Sequence, residues 1–577
     1  MGAFDDLQLP SVDPSTPSDQ VIGMLTKPGM PFETTEIEID GVSHTVFANQ
    51  PPSLREVFML FLGHGDKEFI VYDGERYTFK DAVSRASQFA QALVDDFGIK
   101  KGDRIALSMR NYPEWPIAYM GIIAAGGVAV VMNAWWTEEE VEWGIKDCGA
   151  KVAVVDGERA KRFLALEGGS DMKIIVARDL APEAANVSQM ADAMKGKQPL
   201  AWPSVDLGPD DLAMIMYTSG SSGFPKGALS THRAVVSLIM NWICIALSLK
   251  MLGRTNPDPD FQPVMLVAVP FFHITGLLPV LFVSATVGRK IVMMYKWDVE
   301  DAFKLIEKEG VTTFTGVPTM SYEMAASPLR EKYDLSTLVD IGGGGAARPP
   351  EHVKLIKKSF PNANPGIGYG LTETNSLTAV LSADEYVERP TSTGKPTPPL
   401  IHVRIIDPAT GKEMPTGEPG EVCIKSATNI REYWNNPEAT ARAFKNGWFH
   451  SGDVGYLDEE GYLYIVDRLK DIIIRGGENI SSLEIEGVLH AHEAVDDVMV
   501  FSLPDERLGE LVGAVVSVNR DISEEDLKVE VAKHLAGFKV PEKIWISHDP
   551  LPLIASGKID RKGIRETYRG LWAAAAA

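Results

Sequence analysis

An apolar run, Leu212-Ala213-Met214-Ile215-Met216, gives way abruptly to Tyr217-Thr218-Ser219-Gly220-Ser221-Ser222-Gly223-Phe224-Pro225-Lys226-Gly227. The run reads as a short buried strand. The stretch after it carries four aliphatic hydroxyls, three glycines and one lysine. Such a composition cannot build core, but it can wrap a polyanion with hydroxyl and backbone N–H donors. It differs from the nucleotide P-loop, because Lys226 follows Pro225 and Gly227 stands where a magnesium-binding Ser or Thr would be required. A plain Gly/Ser surface turn is the competing reading. The fixed lysine and the preceding strand weigh against it.

At 577 residues the chain is too long for one core, so two or more domains are expected. Hydrophobic content of 45% and charged content of 23% are those of an ordinary soluble globular protein. The formal net charge of −23 argues against nucleic acid as a partner and against a polybasic grip on anionic lipid. Cys148, Cys244 and Cys423 lie far apart without metal-ligand spacing, as suits a reducing cytoplasm. Residues 1–30 lack a secretory signal's basic start and apolar run. The most apolar region, Val264 to Val287, is broken by two prolines, His273 and a glycine, so it reads as buried strand and helix and no transmembrane segment is expected. The closing run Ala573–Ala577 reads as an added tail or a frayed helix end.

Local patterns place the elements. Alternation from Glu36 to Phe47 suggests a hairpin turning at Asp40-Gly41. Over Lys80–Phe97, the residues Val83, Ala86, Phe89, Ala90, Leu93, Val94 and Phe97 fall on one helical face. A strand over Arg104–Met109, a helix from about Pro113, and strands at Gly127–Met132 and Val152–Val155 follow. This alternation implies an α/β fold with a largely parallel, helix-covered sheet, and it is read as continuing to Tyr464. The pair Trp135-Trp136 has no reading beyond packing. After Asp467 the connector Arg468-Leu469-Lys470-Asp471 leads into a unit of about a hundred residues. Strands at Val498–Phe501 and Val512–Val518 and a helix at Glu524–Leu535 suggest a small α+β domain.

Four further segments stand in order along the chain. They are Gly368-Tyr369-Gly370-Leu371-Thr372-Glu373-Thr374, Trp448-Phe449-His450-Ser451-Gly452-Asp453, Asp467-Arg468-Leu469-Lys470-Asp471 and Ser556-Gly557-Lys558-Ile559-Asp560. Together with the 217–227 loop they resemble the core motifs of the adenylate-forming superfamily, which holds the acyl-CoA synthetases, the adenylation domains of peptide synthetases and the beetle luciferases. The resemblance runs from about Tyr77 to about Arg565. It implies a large N-terminal multi-subdomain α/β region over 1–467, a hinge over 468–471, and a small mobile α+β C-terminal cap over 472–577. It also implies that a carboxylate is joined to the α-phosphate of ATP and then passed to the thiol of coenzyme A.

Both partners in the first step are anions, so the site has to position them and neutralise charge. By the resemblance, Thr218 and Glu373 hold Mg2+, which takes few protein ligands beside phosphates. Thr218, Ser219, Gly220, Ser221, Ser222, Gly223 and Lys226 form the phosphate loop. Within Gly368, Tyr369, Gly370, Leu371 and Thr372, the tyrosine lies near the adenine and Thr372 bonds the α-phosphate. Asp453 accepts both ribose hydroxyls and Arg468 adds a cationic contact. Lys558, carried in by the small unit, bridges the carboxylate and α-phosphate oxygens, and Lys470 is the pivot. Gly344, Gly345 and Ala346, in the glycine loop after Leu338–Ile341, border the adenine and the acyl pocket. The following Ala347-Arg348 departs from the family's proline and aliphatic residue. Gly476 and Gly477 line the pantetheine tunnel. His273 holds the place of an aromatic that borders the acyl carboxylate and swings to open that tunnel. Lys226, Thr372, His273 and Lys558 make up the catalytic set. Each has an ordinary competing reading: a solvated charge, a satisfied core histidine, a tight glycine turn.

Amino-acid-activating relatives present an aspartate in the segment equivalent to Pro270–Gly276, and this chain presents none there. The expected activity is therefore that of an AMP-forming carboxylate:CoA ligase acting on an acid without an α-amine. Met240, Trp242, Val317 and the glycine loop suggest a fatty, aryl or bulky alicyclic acid. The small-molecule acid, ATP and coenzyme A are the expected partners. Three alternatives stay open: a ligase loading a carrier-protein pantetheine, a luciferase-type oxygenase, and a nucleotide-binding module without ligase activity.

Overall fold

The structure, a computed structural model, describes residues 12–169, 171–218, 225–258, 260–476, 478–554 and 558–576. Two large sheets dominate the N-terminal region. The first has eight strands, in the order Glu432–Tyr433, Lys226–Thr231, Leu212–Thr218, Val128–Val131, Arg104–Ser108, Val152–Asp156, Lys173–Ala177 and Val187–Gln189. Six of these are parallel from Leu212–Thr218 onward, and Lys226–Thr231 folds back antiparallel. The second has nine strands, with Asn364–Tyr369, Asp340–Gly343, Thr313–Gly316, Val264–Val267, Lys290–Met293 and Glu68–Tyr72 as its parallel body and antiparallel strands at both edges.

The period of two along each strand explains how these sheets stack. On Lys290–Met293, Ile291 and Met293 enter one core while Val292 enters another. On Arg104–Ser108, Ile105 and Leu107 enter that same first core while Ala106 faces away from it. Successive residues of a strand point to opposite faces, so the two sheets share a middle core and each has an outer one. Helices fill the middle. The helix Phe79–Asp95 opens on a capping box in which Thr78 Oγ1 accepts the Asp81 N–H at 3.0 Å and Asp81 accepts the Thr78 N–H at 3.0 Å, a cap worth about 1 kcal/mol. The helix Glu114–Ala124 is buried all round. The helix His232–Met251 is the one helix among the described residues long and apolar enough to cross a membrane, yet 67% of that stretch is buried inside the molecule. It contributes Val235, Val236, Leu238, Ile239 and Met240 to the shared core.

The expected alternation of helix and strand fails before Tyr464. From 402 onward the chain forms a five-stranded antiparallel sheet, with one short helix, Pro437–Ala443, between its strands. These strands pair antiparallel, so none of them needs the crossover that a parallel pair would. A separate five-stranded sheet follows, in which Val495–Asp505 and Gly509–Val518 form a long antiparallel pair and Lys543–Ser547 lies parallel to Gly509–Val518. Its core, built from residues such as Ile485, Leu489, Val500, Val516, Leu527 and Val531, is distinct from those of the large region. The whole is thus a large multi-sheet α/β region with a small α+β C-terminal domain.

Candidate active site

Thr218, the Gly344–Ala346 segment and the Gly370–Glu373 turn stand at or just past the carboxyl ends of parallel strands, the usual place for a ligand in open α/β sheets. Thr218 ends one strand and Lys226 begins the next, directly across from it in register, with the Thr218 hydroxyl donating to the Lys226 carbonyl at 3.4 Å. Ser219, Gly220, Ser221, Ser222 and Gly223 lie outside the described residues. The Lys226 ammonium stands 5.2 Å from the ring centre of Tyr433. The Tyr433 hydroxyl in turn donates to Glu373 Oε1 at 2.7 Å. Burial and the Glu373 carboxylate push this phenol well above its ordinary pKa. Sequence reading missed Tyr433, because only the pairing of Ala228 with Tyr433 brings residue 433 beside residue 226.

Glu373 lies in the 3-10 turn Thr372–Thr374, which follows the strand Asn364–Tyr369. The Leu371 N–H donates to the Thr374 hydroxyl at 3.1 Å, and Ile430 N–H to the Glu373 carbonyl at 2.9 Å. A side chain at Gly370 would put its Cβ 1.7 Å from the Ser376 carbonyl oxygen. Glycine is therefore demanded there by the turn's own backbone. Gly368 bridges to Gly344, joining the two glycine-bearing strand ends.

The glycine loop differs from its expected form. Gly342 and Gly343 belong to the strand Asp340–Gly343, and only Gly345, Ala346 and Ala347 stand exposed. Arg348 is buried at 7% exposure beneath them. Its guanidinium donates to the Gly366 carbonyl at 2.8 Å and to the Ser321 hydroxyl at 3.2 Å. A Cβ on Gly343 would collide with it at 2.2 Å. Arg348 thus fastens the sheet from within, and burial holds its pKa below the usual range.

On the opposite wall, Asp453 is 2% exposed and sits across from Arg468 on neighbouring antiparallel strands. Arg468 Nε lies 2.6 Å from Asp453 Oδ1, and the Tyr369 hydroxyl donates to Asp453 Oδ2 at 2.6 Å. Burial pushes the Asp453 carboxyl up, against the opposing pull of Arg468 and Tyr369. Lys470 lies in the turn after Arg468 and, with Ser451, Gly452, Arg468 and Leu469, lines a cavity of about 400 Å³. Behind Asp453, Glu421 accepts from Gly452 N–H at 3.2 Å and lies 2.8 Å from His450 Nδ1. Glu421, Cys423 and His450 are close enough to hold a metal ion, but the carboxylate and imidazole are already at hydrogen-bond distance from each other.

Lys558 comes from the small domain and is exposed to the cleft, its ammonium 3.7 Å from where a Gly345 Cβ would stand. Surrounding protein and Arg468 hold it below the ordinary lysine pKa. His273 is pushed down to about 3 by burial and by Lys558, so its imidazole is neutral at any working pH. Its Nε2 is buried with no hydrogen-bond partner among the described residues. Trp135 packs on this corner, edge-on to Phe272 at 4.9 Å and 6.5 Å from His273, with Arg110 over its ring at 5.1 Å. Trp136 packs instead against Tyr217 at 5.3 Å. Gly476 has φ +60° in the turn between the strands Ile473–Arg475 and Glu478–Ile480, and Gly477 lies outside the described residues. The Gly476 N–H donates to the Leu508 carbonyl at 2.8 Å.

A strand-end hydroxyl, a lysine and a glutamate, a buried aspartate, and a lysine contributed by the small domain are thus the polar groups this region offers to a ligand. The chain matches the AMP-binding enzyme family over residues 62–434 and the AMP-binding enzyme C-terminal domain over 484–558, and it belongs to that family. Among relatives, it is 32% identical over 535 residues to a long-chain-fatty-acid–CoA ligase of Bacillus subtilis, covering 87% of this chain and 92% of that one. It is 31% identical to a 4-coumarate–CoA ligase of Vanilla planifolia, covering 85% and 88%. Among solved structures it resembles ATP-bound MatB from Rhodopseudomonas palustris, with TM-score 0.78, 28% identity and coverage of 89% and 99%. It is an AMP-forming acyl-CoA synthetase, activating a carboxylic acid with ATP and transferring it to coenzyme A.

Proposed function

We propose that the cleft activates a fatty, aryl or bulky alicyclic acid without an α-amine, in the cytoplasm, with the residues above in the following roles. The arrangement that carries the reading is a chain of contacts: Lys558 of the small domain stands beside Gly345, the neighbouring Gly344 bridges to Gly368, and Tyr369 next to it donates to the buried Asp453. Asp453 receives the ribose hydroxyls, a bidentate task for a carboxylate, while Arg468 and Tyr369 hold it in place. Tyr369 and the Gly344–Ala346 edge flank the adenine. Lys226 and the hydroxyls around Thr218 hold the β- and γ-phosphates, and Thr372 bonds the α-phosphate. Glu373 and Thr218 suit a hard cation, since Glu373 keeps one carboxylate oxygen beyond the one Tyr433 occupies and magnesium takes few protein ligands. When bound, that ion supplies charge neutralisation on the phosphates.

In the first step a carboxylate oxygen attacks the α-phosphorus, and pyrophosphate leaves. Lys558 offsets the negative charge that gathers on the carboxylate and α-phosphate oxygens, an interaction strongest in the transition state. Neutral His273 and Trp135 wall the acid's carboxyl end and exclude water. In the second step the thiol attacks the acyl carbon and AMP leaves. Lys470 is the pivot for the small domain, whose segment at Gly476 and Gly477 then lines the pantetheine path. The domain limits 1–467, 468–471 and 472–577 follow from this reading. Three free, buried cysteines support a reducing compartment.

The test is pyrophosphate release from ATP and Mg2+ across fatty, aryl and alicyclic acids, each with and without CoA. Release that depends on one acid class and yields its CoA thioester is expected. Release without thioester would move the acceptor to a carrier protein.

A further inference from the structure

The connector between the two domains is tied at both ends. Upstream, Arg468 Nε lies 2.6 Å from Asp453 and Leu469 N–H donates to the Gly452 carbonyl at 2.8 Å. Downstream, Asp471, 8% exposed, pairs with Arg565 and lies 3.9 Å from Arg561 Nε. Arg561 also grips Glu486 through two nitrogens, at 2.7 and 3.2 Å, and Glu486 accepts the Val500 N–H at 2.8 Å. Both arginines belong to the last helix, which begins at Arg561, three residues beyond Lys558. The chain ahead of that helix is closed by the Leu553–Ile559 bridge and by Ile554 N–H donating to the Lys558 carbonyl at 2.8 Å.

We propose that Asp471 is a positioning residue for acid activation: through Arg565 and Arg561 it fixes the root of the last helix, and so sets where Lys558 presents its ammonium. The proposal rests on the charge-neutralising role given to Lys558. Removing this buried carboxylate leaves Arg561 its Glu486 partner but takes from Arg565 the ion pair that ties it to the connector, and breaking a buried pair by removing one partner is strongly destabilising. The helix would then settle elsewhere and carry Lys558 with it, and a misplacement of about 1 Å costs on the order of a hundredfold in rate. The same ties bracket the pivot. Only Leu469 and Lys470 lie between the Arg468 and Asp471 anchors, so a rotation of the small domain is concentrated in two residues. Asp471 and Arg565 stand 94 positions apart, so no local motif announces the pair.

The experiment measures acid-dependent ATP–pyrophosphate exchange and CoA thiolysis of a supplied acyl-adenylate, separately, in the full chain. Asp471→Ala and Arg565→Ala should each lower exchange by roughly ten- to a hundredfold and leave thiolysis within about twofold. The double variant should lose no more than either single one, since the pair acts as a unit. Arg565→Lys, which keeps the charge, should recover most of the exchange. Exchange lowered less than about twofold in Asp471→Ala, or both half-reactions lowered by the same factor, would overturn the proposal. Lys558→Ala serves as the control. If it leaves exchange intact, the role of Lys558 falls and this proposal with it; if it abolishes exchange while Asp471→Ala does not, the proposal alone falls.

Discussion

The wall that carries Asp453 and the side that carries Lys226 and Lys558 are built in opposite ways. Asp453 is sunk between two antiparallel strands, met by Arg468 from across the ladder and by the Tyr369 hydroxyl. Gly345, Ala346, Ala347 and Lys558 are all exposed, and Lys558 reaches them from a domain with its own core. A preformed wall costs little ordering when a nucleoside docks. A lysine lent by a second domain neutralises charge only while that domain sits in this position. On the roles proposed for these residues, one cleft then serves two half-reactions: the nucleoside side stays constant, and the phosphate side is assembled for one of them.

Several substitutions probe that division. Lys558→Ala should cost the most, on the order of a thousandfold in acyl-adenylate formation, with thiolysis of a supplied acyl-adenylate largely retained. Equal losses in both half-reactions would erase the contrast. Asp453→Ala should act on the other wall, raising the KM for ATP by about ten- to a hundredfold, the range for a hydrogen-bonded charged group; an unchanged ATP KM would remove it from the ribose. Tyr433→Phe leaves the ring under Lys226 but removes the bond to Glu373, so adenylation should fall about five- to thirtyfold and need more magnesium. Identical magnesium titrations in the two enzymes would separate Glu373 from the ion.

A separate effect is on stability. His232 accepts the Leu54 N–H through Nδ1 at 3.1 Å, and burial pushes its pKa down to about 4. The unfolded chain takes up the proton near pH 6.5 and the folded one only near 4. Stability should therefore be complete above about pH 6.5 and decline as pH falls toward 4, by at most about 1.4 kcal/mol per pH unit for this group. Urea midpoints between pH 4 and 7 measure it. A His232→Asn protein with an undiminished slope would place the effect elsewhere, for instance in His352, also pushed down to about 4 by burial.

Local chemistry was legible in the sequence where it was contiguous. The apolar face over Lys80–Phe97 is periodic, and Asp453 stands at the end of the six-residue segment Trp448–Asp453. What stayed hidden depended on pairing across long separations. Tyr433 reaches Glu373 only because of strand register, and Arg348, which in the sequence is only a departure from the family pattern, places its guanidinium under Gly343. Trp135 and His273 follow strands of two different sheets, so their contact has no local signal in the sequence. The alternation expected up to Tyr464 failed because periodicity reports a strand's faces and is silent on whether its partner arrives by hairpin or by crossover.

The shared middle core has a bearing on how such a protein changes its substrate. In the body of a strand such as Lys290–Met293, neighbouring side chains belong to different cores, so an exchange there disturbs the packing of two layers at once. The exposed residues past a strand end, such as Gly345, Ala346 and Ala347 after Asp340–Gly343, belong to none of these cores. Variation can accumulate at those few positions while the frame is inherited unchanged, and relatives about a third identical to this chain can carry fatty-acid and coumarate names on one scaffold.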